Sequence, residues 1–238
     1  MLLSPSNTHT GTNVLQTKPG LLSSRSRSTG LVVGILGRDG CGKSTFINEI
    51  VAGQLGRHFR KTATFKKMPA IFYKGAIFNK NEGYHFSKPH MYKERGRFAS
   101  FLKLNLLLLD FLFGYWLKVF PLKLQAQLIF YDRYFVDVLA DPLRYRIKGN
   151  ELYIKFIHFI LPKPDLWIIL DLPTEVLLKR KQELNYEMAE KLRTKYLQLR
   201  SFLPNSIVIN NEQEIENTVE QATLFIMDYL RKRKIELT

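Results

Sequence analysis

The sequence predicts an α/β fold in which a parallel sheet of about five strands carries helices on both faces. Three observations lead there. Five short apolar runs recur along the 238 residues, helical patterns separate them, and a glycine-rich turn joins the first run to the first helix.

The elements follow in order. Residues 1–30 are rich in Ser, Thr, Asn and Gly, carry Lys18, Arg25 and Arg27 without an acid, and read as a flexible leader to one domain over 31–238. Leu31-Val32-Val33-Gly34-Ile35-Leu36 is an apolar run of the kind buried on both faces of a sheet. After the glycine-rich turn, Lys43–Ala52 reads as a helix ending at Gly53. Thr62–Phe65 is a short second strand, and Leu128–Tyr131, Leu166–Leu170 and Ser206–Ile209 are the later ones. Helical patterns span Phe98–Phe120, Leu152–Ile160, Glu175–Arg200 and Glu212–Lys234.

Composition sets outer limits. A 45% hydrophobic content supports one good core. No signal-peptide pattern opens at Met1, and the single cysteine, Cys41, excludes an internal disulfide and suits a reducing, cytoplasmic setting. Leu104–Leu117 is interrupted by Asn105 and Asp110 and falls short of the ~18 apolar residues a membrane span needs, so a buried helix is expected. A peripheral membrane contact, helped by Lys103, Lys118 and Lys123, stays open.

The formal charge is +15. Between Arg57 and Arg97 stand eleven Lys/Arg against Glu82 and Glu94 alone, so this stretch carries much of the excess. Either a polyanionic partner or plain solubility accounts for such a balance. Within residues 57–100, Phe72, Tyr73, Tyr84, Phe86, Tyr92 and Phe98 interleave with Lys74, Lys80, Lys88, Lys93, Arg95 and Arg97. Aromatics with cations suit a base, a sugar ring or a polyanion; a basic surface insertion anchored by its aromatics is the plainer alternative.

The chemistry is carried by Gly37-Arg38-Asp39-Gly40-Cys41-Gly42-Lys43-Ser44, which matches G-x-x-x-x-G-K-[ST]. Such a loop turns backbone N–H groups inward as a nest for phosphates, and glycines at 37, 40 and 42 keep side chains out of the approach. Lys43 is placed to meet β/γ oxygens and the Ser44 hydroxyl to ligate Mg²⁺. The helix beginning at Lys43 aims its positive end at the same phosphates. The strand before and the apolar-faced helix after are the context this motif requires, so ATP and Mg²⁺ are the expected cofactors. Cys41 reads as loop filler rather than a nucleophile.

Extended to Thr45, the loop resembles that of thymidylate kinases, which often reads Gly-x-Asp/Glu-Gly-x-Gly-Lys-Ser/Thr-Thr. Asp132-Arg133-Tyr134 directly follows a strand, where that family has Asp-Arg-Tyr/Phe. Pro164-Asp165-Leu166 through Leu170-Asp171-Leu172-Pro173 to Glu175-Val176 and Arg180 is similar to the family's fourth strand and the helix leading into its lid. The resemblance covers about residues 31–230. It implies a P-loop NTPase three-layer sandwich with strand order 2-3-1-4-5, and it leaves a homodimer open.

Carried over by residue, the resemblance implies that Gly37–Thr45 holds ATP, Ser44 and Asp132 serve the metal, and Arg133 lies near the transferring phosphoryl group. Arg180, with Lys181, becomes a lid cation over residues 180–190. Asp39 faces the acceptor and would hold or deprotonate its hydroxyl. Tyr134 falls on the acceptor side, and Lys67 stands in for the arginine of the family's Arg-Glu-Pro segment; apart from the resemblance, Arg97 is the acceptor-side candidate of the basic aromatic stretch.

Departures concern the acceptor. Phe135–Arg146 replaces the family's Ser-rich stretch and Ala-Tyr-Gln, and Leu109–Trp116 lacks the arginine the family sets against the acceptor phosphate. The expected activity is therefore an ATP-dependent phosphotransferase whose acceptor is a nucleoside monophosphate, the family default, or a sugar or glycan hydroxyl. A nucleic-acid-associated P-loop ATPase or polynucleotide 5′-hydroxyl kinase is the further alternative, favoured by the basic segment but lacking a nucleic-acid module signature. A switch-type NTPase needs a water-positioning residue, and none is identified.

Overall fold

The computed structural model describes residues 30–59, 61–66, 94–181 and 184–233. Lys67 and most of the basic aromatic segment lie outside them, as does all of the leader except Gly30.

Strand β1 (Leu31–Leu36) sits at the centre. Its alternate side chains enter opposite cores: Val32 and Leu36 face one side, Leu31, Val33 and Ile35 the other. β2 (Thr62–Lys66), β3 (Leu128–Asp132), β4 (Leu166–Asp171) and β5 (Ser206–Asn210) complete a five-stranded sheet of order β2-β3-β1-β4-β5. All four pairings are parallel. β3 and β4 thus flank β1, and the order reverses at the glycine-rich loop. That is where open α/β sheets gather their ligands.

Helix α1 (Lys43–Ala52) follows the loop, and α2 (Gln54–His58) extends it after a break at Gly53. α1 and the last helix, α9 (Ile215–Lys232), cover one face of the sheet, burying Phe46, Ile50, Ile226 and Leu230. The opposite face is covered by α3 (Arg97–Gly114), α6 (Glu151–Ile160) and α8 (Tyr186–Gln198), through Leu104, Phe111, Ile157 and Tyr196. Each large apolar side chain so buried contributes about 1.5–3 kcal/mol.

Two helices differ from the sequence expectation. The stretch read as one helix over Glu175–Arg200 is two, α7 (Thr174–Arg180) and α8. Asn185 caps α8 by accepting from the Met188 amide at 2.9 Å, a chain-start signal inside a run of good helix formers. The other concerns α3, which continues through a π-turn at Tyr115–Val119 into α4 (Phe120–Leu124), Pro121 standing in its first turn; the short α5 (Asp137–Ala140) comes after β3.

The resulting 28-residue stretch, Arg97–Leu124, is long and apolar enough to cross a membrane by length and composition. Expected to be buried, it is buried on one face only. Leu104, Leu107 and Phe111 enter the core, while Phe98, Leu109, Phe113 and Trp116 are exposed. A single apolar period could not distinguish one stripe from two.

His158 on α6 is 2% exposed and packed edge-on or tilted against Tyr134, Trp167 and Phe202. Burial, with Lys163 nearby, pulls its pKa down to about 4. The folded value lies below the unfolded one, so stability is full above pH 6.5 and falls as pH drops toward 4. The expected loss is on the order of 3 kcal/mol at full titration. Denaturant melts of wild type and His158→Phe from pH 7.5 to 4 check this: the variant should lose the part of the slope due to His158.

Candidate active site

The glycine-rich loop spans the gap between β1 and α1, and its backbone requires its glycines. Gly42 has φ +90°, and an added Cβ would meet Asn211 Nδ2 at 2.5 Å. Gly37 has φ +141°, with the Leu170 carbonyl oxygen 2.6 Å from such a Cβ. Both positions combine a left-handed backbone with close approach. Asn211, immediately beyond β5, donates from Nδ2 to the Cys41 carbonyl at 2.7 Å and so fixes the loop from the far side of the sheet. Sequence reading missed it because the pair is separated by almost the whole domain.

Lys43 is buried and curls back, its Nζ donating to the carbonyls of Gly37 at 2.8 Å and Arg38 at 2.7 Å. Burial, then repulsion from Arg133, pulls its pKa down. An anion placed in this loop would oppose both effects. Arg38 turns the other way. Its guanidinium is buried and donates to Thr174 Oγ1 at 2.9 Å, to the Ala189 carbonyl at 3.0 Å and to the Leu172 carbonyl. The side chain of Arg38 is therefore a strut between the loop, α7 and α8, and only its backbone belongs to the nest. Arg193 on α8 grips Asp171 at the end of β4, with Nε–Oδ1 2.9 Å and a terminal nitrogen 2.7 Å from Oδ2.

Ser44 Oγ lies 3.5 Å from Asp132 Oδ2. Asp132 Oδ1 is buried and has no hydrogen-bond partner. A hydroxyl and an unsatisfied carboxylate oxygen at the start of a helix are hard oxygen donors, which fit Mg²⁺; that ion takes one or two protein ligands and completes its shell with phosphates and water. No group of three or more His, Cys, Asp or Glu able to hold a metal occurs among the described residues.

Arg133 takes φ +78°, which swings its side chain under the loop while its amide still donates to the Ile35 carbonyl at 3.0 Å. The guanidinium is buried between Asp39, Asp137 (2.8 Å) and the Tyr196 hydroxyl (3.2 Å). Burial works against its charge, yet Asp137 and the tyrosines outweigh it and hold the pKa well above the ordinary arginine value. Asp137 is wholly buried and accepts also from Tyr196 at 2.5 Å and Tyr145 at 2.9 Å.

Asp39 is gripped on both oxygens, Oδ1 by Arg133 and Oδ2 by Arg144. An acceptor hydroxyl expected to find Asp39 open must therefore displace a guanidinium. Arg144, from the short turn Leu143–Tyr145, was not singled out in the sequence; its partner lies 105 positions earlier.

Tyr134 does not line the acceptor side as expected. It is 2% exposed, packs against Phe111, Tyr131 and Trp167, and donates its hydroxyl to the Pro162 carbonyl. An aromatic beside Asp-Arg reads as a motif member, but the core claims it. Arg97 is exposed at the start of α3. Arg180 is exposed at the end of α7, whereas Lys181 lies near the loop: an added Cβ on Gly40 would lie 3.4 Å from Lys181 Cβ. The residues between α7 and α8 include 182 and 183, outside the described set.

No protein-family model matches the chain. Its fold is thymidylate kinase-like, a P-loop NTPase sheet of order β2-β3-β1-β4-β5. A solved thymidylate kinase from Candida albicans superposes with a TM-score of 0.59 at 19% identity, over 88% of this chain and 94% of that one. A curated protein of Saccharolobus solfataricus named probable thymidylate kinase 1 is 32% identical over 111 residues, which is 44% of this chain. The match spans 57% of that relative's length.

Proposed function

We propose that this chain is an ATP-dependent phosphotransferase that moves the γ-phosphoryl group to a small acceptor, with a nucleoside monophosphate or related nucleotide as the acceptor class its fold suggests. The observation that carries the reading is the convergence of Lys43, Ser44 and Asp132 with the Asp39–Arg133–Arg144 cluster at the switch of strand order. A simple hydrolase has to place one water; two arginines on a loop carboxylate suit the charge of a second substrate.

In this reading Gly37–Thr45 holds ATP and Ser44 with Asp132 holds Mg²⁺. Bound Mg²⁺–ATP supplies the phosphoryl group and neutralises charge on its oxygens. Lys43 exchanges its two carbonyl partners for phosphate oxygens. Arg133 stays fixed by Asp137 and presents positive charge beside the loop without rearrangement, the kind of preorganisation that lowers a phosphoryl-transfer barrier. Asp39 orients Arg133 and Arg144 toward the acceptor, and Asp132 remains as the carboxylate with an open oxygen. Arg38 and Arg193 tie the lid helix α8 to the loop and to β4, and Lys181 adds a cation over Gly40.

A sugar or glycan hydroxyl is the second reading. It is favoured by the stretch Leu109–Trp116, which carries no cation where the resemblance puts an arginine against the acceptor phosphate. An ATP-consumption panel of nucleoside monophosphates, nucleosides, sugars and oligonucleotides separates the readings. Acceptor-dependent turnover is expected, with thymidylate a poor substrate. Turnover of thymidylate at ordinary kinase rates would contradict the diverged acceptor site.

A further inference from the structure

Helices α3 and α6 each carry two apolar stripes, and the sheet uses only one of them. The inner stripes, Leu104, Leu107 and Phe111 on α3 with Ile154 and Ile157 on α6, belong to the core. Opposite stand Phe98, Leu102 and Leu109 on α3, and Leu152, Phe156 and Phe159 on α6, all exposed. Their spacing of three, four or seven residues sets each group on one side of its helix. A helix apolar all round ordinarily has a partner on both sides.

The two outer stripes meet. Phe101 on α3 stacks on Tyr153 of α6 with ring centroids 5.3 Å apart, and the Tyr153 hydroxyl donates to Asn105 Oδ1 at 3.0 Å. Phe98 is 81%, Phe159 75% and Leu152 72% exposed. Phe98, Phe101, Phe156 and Phe159 alone present on the order of 500 Å², already the size of the largest apolar patch on a typical monomer.

Charge decides what fits there. Lys148 and Lys163 are exposed at the two ends of α6, and Lys163 Nζ lies 5.1 Å from the centre of the Phe159 ring. Within 97–124 and 148–163 the acids are Asp110, which is buried, and Glu151, which pairs with Lys155 at 2.6 Å. A twofold contact sets a face against its own copy, so these cations would meet cations. A bilayer with anionic headgroups answers both features: aromatic and aliphatic side chains enter the headgroup boundary while lysines stay at its charged surface. The stretch Arg97–Leu124 would lie along such a surface rather than cross it, because Leu104, Leu107 and Phe111 are held in the core.

We infer that the outer faces of α3 and α6 dock this chain onto an anionic membrane surface.

The test is co-flotation of the full chain with lipid vesicles, which leaves aggregates behind. Binding is expected to phosphatidylcholine vesicles containing about 30% phosphatidylglycerol, at least about tenfold stronger than to phosphatidylcholine alone and weakened by about 0.5 M salt. Phe156→Ser with Phe159→Ser, and separately Lys148→Gln with Lys163→Gln, should each reduce partitioning at least about fivefold. Leu152→Gln, at a position with little packing to lose, repeats the apolar test should the double serine variant misfold. Failure of the chain to float with the anionic vesicles overturns the inference, as does undiminished flotation of the Phe156→Ser/Phe159→Ser or Leu152→Gln protein. Light scattering without lipid reads the other occupant. A wild-type dimer that Phe156→Ser/Phe159→Ser or Leu152→Gln converts to monomer assigns the face to a second copy and likewise overturns the inference.

Discussion

Lys43→Ala is expected to reduce phosphoryl transfer by on the order of 10³-fold or more with the fold intact. The two halves of this prediction come from one geometry. Lys43 is a buried ammonium whose partners are the carbonyls of Gly37 and Arg38, at the mouth of the phosphate nest. Its pKa is pulled down by burial and by Arg133, so its charge is not a source of stability in the folded chain. Alanine leaves two loop carbonyls to water and shifts stability by about 1 kcal/mol. The same change removes the side-chain charge closest to where β/γ oxygens would lie. Circular dichroism melts and acceptor-dependent turnover, measured on one preparation, check both halves. Retained activity would sink the assignment of the loop.

Asp137→Ala is expected to destabilise the chain by about 3–5 kcal/mol. Asp137 is fully buried and accepts three hydrogen bonds, from Arg133, Tyr145 and Tyr196. Without it the Arg133 guanidinium stays buried with one carboxylate fewer, and two tyrosine hydroxyls lose an acceptor. Removing one partner of a buried pair costs far more than the pair contributes, because the remaining charge has nowhere to go. Guanidinium unfolding is the measurement. A loss below about 1 kcal/mol would mean that water replaces Asp137, and that Arg133 is not rigidly held. Asp137→Asn should be milder for packing yet still leave Arg133 undercompensated, which distinguishes lost charge from lost volume.

Much of this was legible from residues close in sequence. The run Leu31–Leu36, the glycine-rich loop and the helix from Lys43 to Ala52 form one local unit, in which strand, turn and helix signals agree. Asp132-Arg133 after an apolar strand pointed to the carboxyl edge of the sheet, and both residues lie there. The strand order came from the resemblance to thymidylate kinases, because periodicity alone does not say which parallel strand neighbours which.

What was hidden depends on distant pairing. Arg144 reaches Asp39 across 105 positions and Asn211 reaches Cys41 across 170. No local pattern marks either pair. Arg38, in the motif by spacing, points its side chain into α7 and α8, because the variable position of the loop was free to take a structural role. Tyr134 was misplaced for the converse reason: the aromatic that completes a motif is also the residue a core between Phe111 and Trp167 needs. The break between α7 and α8 turned on Asn185, whose cap on the Met188 amide is a weak signal inside a run of good helix formers.

A loop that feeds a second substrate sends the γ-phosphate to an acceptor rather than to water. Protein is incubated with γ-labelled ATP, Mg²⁺ and a pool of nucleoside monophosphates, nucleosides, sugars and oligonucleotides, and the label is partitioned between inorganic phosphate and other products. Acceptor-dependent label in a new phosphorylated product, lost in Lys43→Ala, is expected. Label recovered only as inorganic phosphate, at a rate indifferent to the pool, would contradict it.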